Sequence, residues 1–156
     1  MRVERAVLSA ALLSVISCGG SSTGPDSGSN SCATPLSATV NGVAWCSPLP
    51  QAVVSKSIVS IAGFDTVITS SVAFAFAATA PGTYSLTFGT SGAGSGTYVR
   101  GGQGWSSGLA GGTGSVTITT LTSNHLVGTF AFDAVPSNGG ATGTIHVANG
   151  KFDMSF

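Results

Sequence analysis

From residue 36 onward, apolar and polar positions alternate along most of the chain, and period-2 alternation predicts strands. Residues 37–40 and 43–46 are two short β runs around Asn41-Gly42. Asn-Gly between such runs predicts a hairpin, because both turn positions take positive φ. Pro48 and Pro50 interrupt the pattern, after which 51–56 and 57–64 read as β segments and Phe64-Asp65-Thr66 as a turn. Residues 67–78 and 82–88 predict two further strands. If Ala78 faces Gly82 across Thr79-Ala80-Pro81, then Phe76 faces Tyr84, Phe74 faces Leu86 and Val72 faces Phe88. All the large side chains then share one face, and Ala73, Ala75 and Ala77 occupy the other.

Residues 89–114 are dominated by glycine and predict one short strand, 96–100, between two mobile loops. Residues 115–120 and 125–134 alternate again. A two-residue turn at Ser123-Asn124 would put Ile118 opposite Thr129, on mismatched faces. A longer turn or a bulge near 123–125 would restore Ile118 opposite Phe130. Residues 142–148 and 151–156 predict a closing hairpin about Asn149-Gly150, with Val147 facing Phe152, Ile145 facing Met154 and His146 facing Asp153. The sum is an all-β domain, an antiparallel meander of about ten short strands. A sandwich-like packing is expected, with a calycin-like closed β-barrel as the alternative.

The first residues break this pattern. Arg2 and Arg5, offset by Glu4, precede an apolar and small run at 6–17 that stops at Cys18. The run is too short for a transmembrane helix, which needs ~20 apolar residues. It fits the core of a secretory signal peptide. Val15, Ile16, Ser17 and Cys18 match the lipobox position for position, and the segment resembles a bacterial lipoprotein signal. The alternative is an ordinary secretory signal with a chance cysteine. The resemblance implies cleavage between Ser17 and Cys18 and acylation of Cys18, palmitate included, which fixes the protein to a membrane. Residue 19 is Gly and not Asp; signals of this kind send proteins to the outer membrane where the envelope has one. Residues 19–31 hold no apolar residue beyond Pro25, so a disordered tether is expected. The plan is thus 1–17 signal peptide, 18–31 lipidated cysteine and tether, and 32–156 a single β domain.

Composition narrows the function classes. No Glu follows Glu4, and Thr, Ser, Gly, Val and Phe dominate, as in a β protein rich in turns. After the signal, Lys56, Arg100 and Lys151 stand against Asp26, Asp65, Asp133 and Asp153, a charge near zero. A nucleic-acid partner needs a basic stripe, and none is present. No cofactor motif occurs, and the only expected membrane contact is the anchor.

Within the domain, Ala-Thr-Val-Asn-Gly-x-x-Trp runs from Ala38 to Trp45. Gly82-Thr83-Tyr84, Gly128-Thr129-Phe130 and Asn149-Gly150-Lys151-Phe152 follow in order. Together they resemble a group of uncharacterised bacterial envelope lipoproteins. The resemblance spans most of the domain and brings no activity with it.

Candidate chemistry is sparse. Cys32 and Cys46 are the cysteines left beside Cys18. In an oxidising compartment they are expected to bridge, the alternative being two separate buried thiols. Two cysteines and two distant histidines show no metal-ligand spacing. His146 with Asp153 is half of a hydrolase triad or a plain cross-strand pair. No serine sits in a nucleophile elbow at a strand-to-helix turn, so no catalytic residue is assigned and the chain is not read as an enzyme. Tyr98, Arg100 and Trp105, types enriched at binding hot spots, form a candidate binding loop. The alternative is that both aromatics fold back and cap the core. The sequence therefore favours a lipid-anchored interaction or structural module of the cell envelope, with an envelope protein as partner. The second choice is a small apolar ligand inside a barrel lined by Phe74, Phe76, Phe130 and Phe132.

Overall fold

The computed structural model describes residues 32–156 apart from 68 and 90–92. The signal, Ser17, Cys18 and the tether lie outside the described residues. Eleven strands follow in order: β1 Leu36–Val40, β2 Val43–Ser47, β3 Gln51–Ser55, β4 Ile58–Phe64, β5 Ser70–Ala77, β6 Gly82–Ser85, β7 Ser95–Arg100, β8 Gln103–Ser106, β9 Thr113–Leu121, β10 His125–Asn138 and β11 Ile145–Ser155. All the pairings are antiparallel. The hydrogen-bonded path runs β2-β1-β11-β10-β8-β7-β5-β4-β3, with β9 on β10 and β6 on β9. β2 and β3 are the two ends of the path and do not pair with each other, so the sheet curls into an open half-barrel and does not close.

β10 makes the curl. Its first part pairs with β11 and β9, whereas Val135, Pro136 and Asn138 pair with Ser106, Trp105 and Gly104 of β8. A strand long enough to serve both halves lets the sheet fold over its own apolar face. That face carries Val72, Phe74 and Phe76 of β5 and Leu126, Phe130 and Phe132 of β10, all buried. The Phe74 and Phe130 ring centroids lie 4.4 Å apart, and Phe74 and Phe152 5.9 Å apart. Burying each such ring contributes roughly 1.5–3 kcal/mol. Glycines leave room for them: a Cβ at Gly96 would sit 2.6 Å from the Phe132 ring, and one at Gly150 2.6 Å from that of Phe130.

The Asn41-Gly42 hairpin is as expected, with Val40 opposite Val43 and φ of 49° and 80° at the two turn residues. Four other expectations are corrected. The first is the partner of β5. β4 and β7 take both its edges, with Ile61 opposite Phe74 and Tyr98 opposite Val72. β6 crosses to the other half and pairs with β9, Tyr84 opposite Val116. Leu86 is buried beyond the end of β6, and Phe88 is exposed. Period-2 alternation fixes a residue's face but not its partner strand. Phe76 and Tyr84 still touch, with ring centroids 5.5 Å apart, across the curl.

The second correction concerns the glycine-rich stretch, which carries two strands. β7 and β8 form a hairpin whose two-residue turn, Gly101-Gly102, has φ of 57° and 80°. The third concerns β9 and β10. The register slips between Val127 and Gly128, so Ile118 faces Gly128 and Phe130 faces Val116. The irregularity thus lies at Thr119, inside the ladder and not at 123–125.

The fourth is the closing hairpin, which is absent. β11 runs unbroken through Asn149-Gly150, flanked by β1 on one side and β10 on the other. Only Asn149 has positive φ there, 52°, where a turn of the Asn41-Gly42 kind needs two. Asn149 is a β-bulge: Ala148 faces Thr39 but Lys151 faces Ser37, and Gly150 faces Phe130 but Val147 faces Phe132. The extra residue switches parity, which puts Val147 on the same buried face as Phe152 and Met154.

Candidate functional site

A cleft of about 620 Å³ opens where the β1–β2 turn, the β4–β5 loop, the β7–β8 turn and the start of β11 meet. Trp45, Tyr98 and Trp105 line it, with Asn41, Asp65, Ser70, Arg100 and Gln103 among the polar residues around it. All three rings are buried. Trp45 Nε1 donates to Ser70 Oγ at 3.0 Å, and Ser70 Oγ donates to Asp65 Oδ2 at 2.8 Å. The Thr69 backbone N–H and hydroxyl each donate to the same carboxylate at 2.7 Å. Partial burial works to raise the Asp65 carboxyl, but hydrogen bonds from Thr69 and Ser70 outweigh it and hold the group below its usual value. The carboxylate is therefore ionised and already engaged, and it locks the β4–β5 loop against Trp45.

Tyr98 and Trp105 face each other on β7 and β8, ring centroids 5.8 Å apart. Trp105 Nε1 donates to the carbonyls of Thr142 and Gly143 at 3.2 and 3.1 Å. Arg100 is exposed at the rim, and no acidic residue among the described residues is within ion-pair distance of it. A second hollow of about 470 Å³, lined by the exposed Phe64 and Val99, adjoins the cleft and shares Thr69, Ser70, Arg100 and Gly101 with it.

The structure thus brings Tyr98, Arg100 and Trp105 together at one cleft. Tyr98 and Arg100 lie on the expected strand, now β7, whereas Trp105 lies on β8 and not on a mobile loop, a correction that follows from the β7–β8 hairpin. Trp45, Ser70 and Asp65 complete the cleft and escaped notice in the sequence. Trp45 stood in the Asn-Gly-x-x-Trp run, but nothing in the chain says which strand ends meet.

Cys32 and Cys46 sit at disulfide distance, Cα atoms 5.9 Å apart, within the range a bridge requires. The His146–Asp153 pairing is corrected. His146 Nδ1 meets Asp133 at 2.7 Å, and His125 Nε2 meets Asp153 at 2.7 Å. Without a closing hairpin, His146 lies opposite Asp133 on β10. Both pairs are exposed to solvent, where such contacts contribute about 0.2–1 kcal/mol. Gly104-Trp105-Ser106-Ser107-Gly108 has the spelling of a nucleophile elbow, but it runs from β8 into a turn with no helix behind it. Among the described residues no group of three or more His, Cys, Asp or Glu side chains is placed to hold a metal.

One family model, DUF6252, described as a domain of unknown function, matches residues 33–154. The chain belongs to the DUF6252 family. No curated protein and no solved structure matches it. The DUF6252 match takes in every residue of the cleft.

Proposed function

We propose that this DUF6252 protein is a cell-envelope lipoprotein, fixed to the membrane through an acylated Cys18, whose β domain is a non-catalytic interaction module that presents the cleft to a partner. The reading joins the lipobox at Val15 to Cys18 with one geometric observation. The segment leading from Cys18 enters the domain at Cys32, by the open end of the β1–β2 hairpin. The cleft includes Asn41 and Val43, at the turn end of that hairpin. Five residues of β1 separate the two ends, about 16 Å of strand. The point where the chain enters the domain and the cleft thus lie at opposite ends of one hairpin, which suits a surface held towards an incoming partner. The core supports a module filled by its own side chains, since Phe74, Phe76, Phe130 and Phe132 pack ring against ring. Non-catalytic binding is favoured because neither histidine ring reaches a nucleophilic hydroxyl among the described residues. Among those residues no helix is long and apolar enough to cross a membrane.

Metabolic labelling with a palmitate analogue of cells expressing the chain and its Cys18→Ser variant tests the anchor. The chain is expected to take up the label and the variant to take up none. A parent chain that stays unlabelled would overturn the anchor reading.

A further inference from the structure

The cleft has a chemical bias that follows from counting which of its polar groups are already satisfied. The carboxylate and the Asn41 acceptor are engaged: Asp65 takes three hydrogen bonds from Thr69 and Ser70, and Asn41 Oδ1 accepts from the His146 N–H at 2.8 Å. Both indole N–H groups are spent on Ser70 and on the 142–143 carbonyls, so the tryptophans offer only their rings. Donors remain. Arg100 has no acidic partner among the described residues. The Tyr98 hydroxyl has no hydrogen-bond partner among the described residues, although Tyr98 is only 4% exposed. A buried hydroxyl without a partner forfeits the hydrogen bonds it made to water, so such a group calls for an explanation. Tyr98 and Arg100 lie two apart on β7, on one face of the strand and about 7 Å apart along it, and both line the cleft.

We propose that the cleft binds a small carboxylate carried on a six-membered ring with an apolar face, with the Arg100 guanidinium holding the carboxylate, the Tyr98 hydroxyl donating to it and Trp45 and Trp105 walling the ring. A planar guanidinium matches a carboxylate with two parallel N–H donors. The free donors leave an acceptor as the fitting ligand group, and a cation would meet Arg100 at the rim. The inference rests on the cleft being the binding surface named above and adds the class of ligand. Two sources share this chemistry, a sugar acid and an aromatic acid.

The chain has two tryptophans, and both line the cleft. Their two indole N–H signals in a nitrogen-15 correlation spectrum of the purified chain therefore report on it directly. The probes are glucuronate and benzoate, with glucose and benzamide as uncharged counterparts. Saturable shifts with glucuronate alone identify a sugar acid, and with benzoate alone an aromatic acid; either supports the inference. Arg100→Gln is expected to weaken binding at least tenfold. Tyr98→Phe is expected to weaken it roughly tenfold, the scale of one hydrogen bond to a charged group, without lowering the melting temperature. No shift with either acid would overturn the inference and leave the anchor untouched. Equal shifts with acids and uncharged counterparts would overturn it while keeping the cleft as a binding surface. A lowered melting temperature in Tyr98→Phe would overturn the role given to the hydroxyl.

Discussion

Phe74 and Phe130 are buried on β5 and β10, strands that share no ladder, and their ring centroids are 4.4 Å apart. They meet only because the sheet curls over, so their coupling measures the curl. The perturbation is a double-mutant cycle of Phe74→Leu, Phe130→Leu and the double variant. Leucine keeps most of the apolar volume and removes the ring, so each single change is expected to cost about 1–3 kcal/mol, below the 3–5 kcal/mol of truncation to alanine. The rings touch in a tilted arrangement at 34°, and an aromatic pair contributes about 0.5–1.5 kcal/mol beyond area burial. The double variant should therefore be less destabilised than the sum of the singles by that amount. Urea denaturation of the four proteins gives the values, with the slopes compared to show that the unfolded state is unchanged. A coupling below about 0.3 kcal/mol, the scatter expected for separate sites, would refute the contact and the curl with it.

Both Asn149→Ala and Asn149→Gly lose the amide's contact with Thr39, but at φ of 52° only alanine adds left-handed strain, so it is expected to be about 1–2 kcal/mol less stable than the glycine variant; equal losses in urea melts would argue against the bulge. Cys46→Ser should lower stability by about 3 kcal/mol in the chain-entropy account, given a sequence separation of 14 between the cysteines, and a reductant should lower the melting temperature of the parent but not of the variant. The Asp65 carboxyl is held below its ordinary value in the folded chain, so it adds stability above its unfolded value and loses it as the pH falls through the folded one. Thermal melts taken from neutral pH downwards should then show a steeper acid decline in the parent than in Asp65→Asn; parallel curves would contradict the assignment.

How much of this was legible in the chain depended on which question was local. Faces were legible: Val72, Phe74 and Phe76 are buried together and Ala73, Ala75 and Ala77 half-buried, as alternation requires. Partners were not, because a strand with the right face fits several neighbours, and β4 and β7 satisfy β5 as well as the expected 82–88 would have done. The two Asn-Gly pairs make the point sharply. At Asn41-Gly42 both residues take positive φ and the chain reverses; at Asn149-Gly150 only the first does and the strand runs on. What differs is tertiary: β11 has a partner on each side on both sides of its bulge. Glycine misled in the other direction, since 101–102 serves as a tight turn between two ordered strands where a loop was expected. Tyr98, Arg100 and Trp105 were legible as residues that belong together. Asp65 and Ser70 were not, since their roles come from hydrogen bonds across the β4–β5 loop to Trp45.

The state of Cys18 decides whether the domain is held at a membrane. Intact mass measurement of the chain purified from membranes reads it in one step. The expected result is a protein that begins at Cys18 and carries the added mass of acyl chains there, with the Cys18→Ser variant retaining residues 1–17. A parent chain that keeps its first seventeen residues and carries no acyl mass would contradict it.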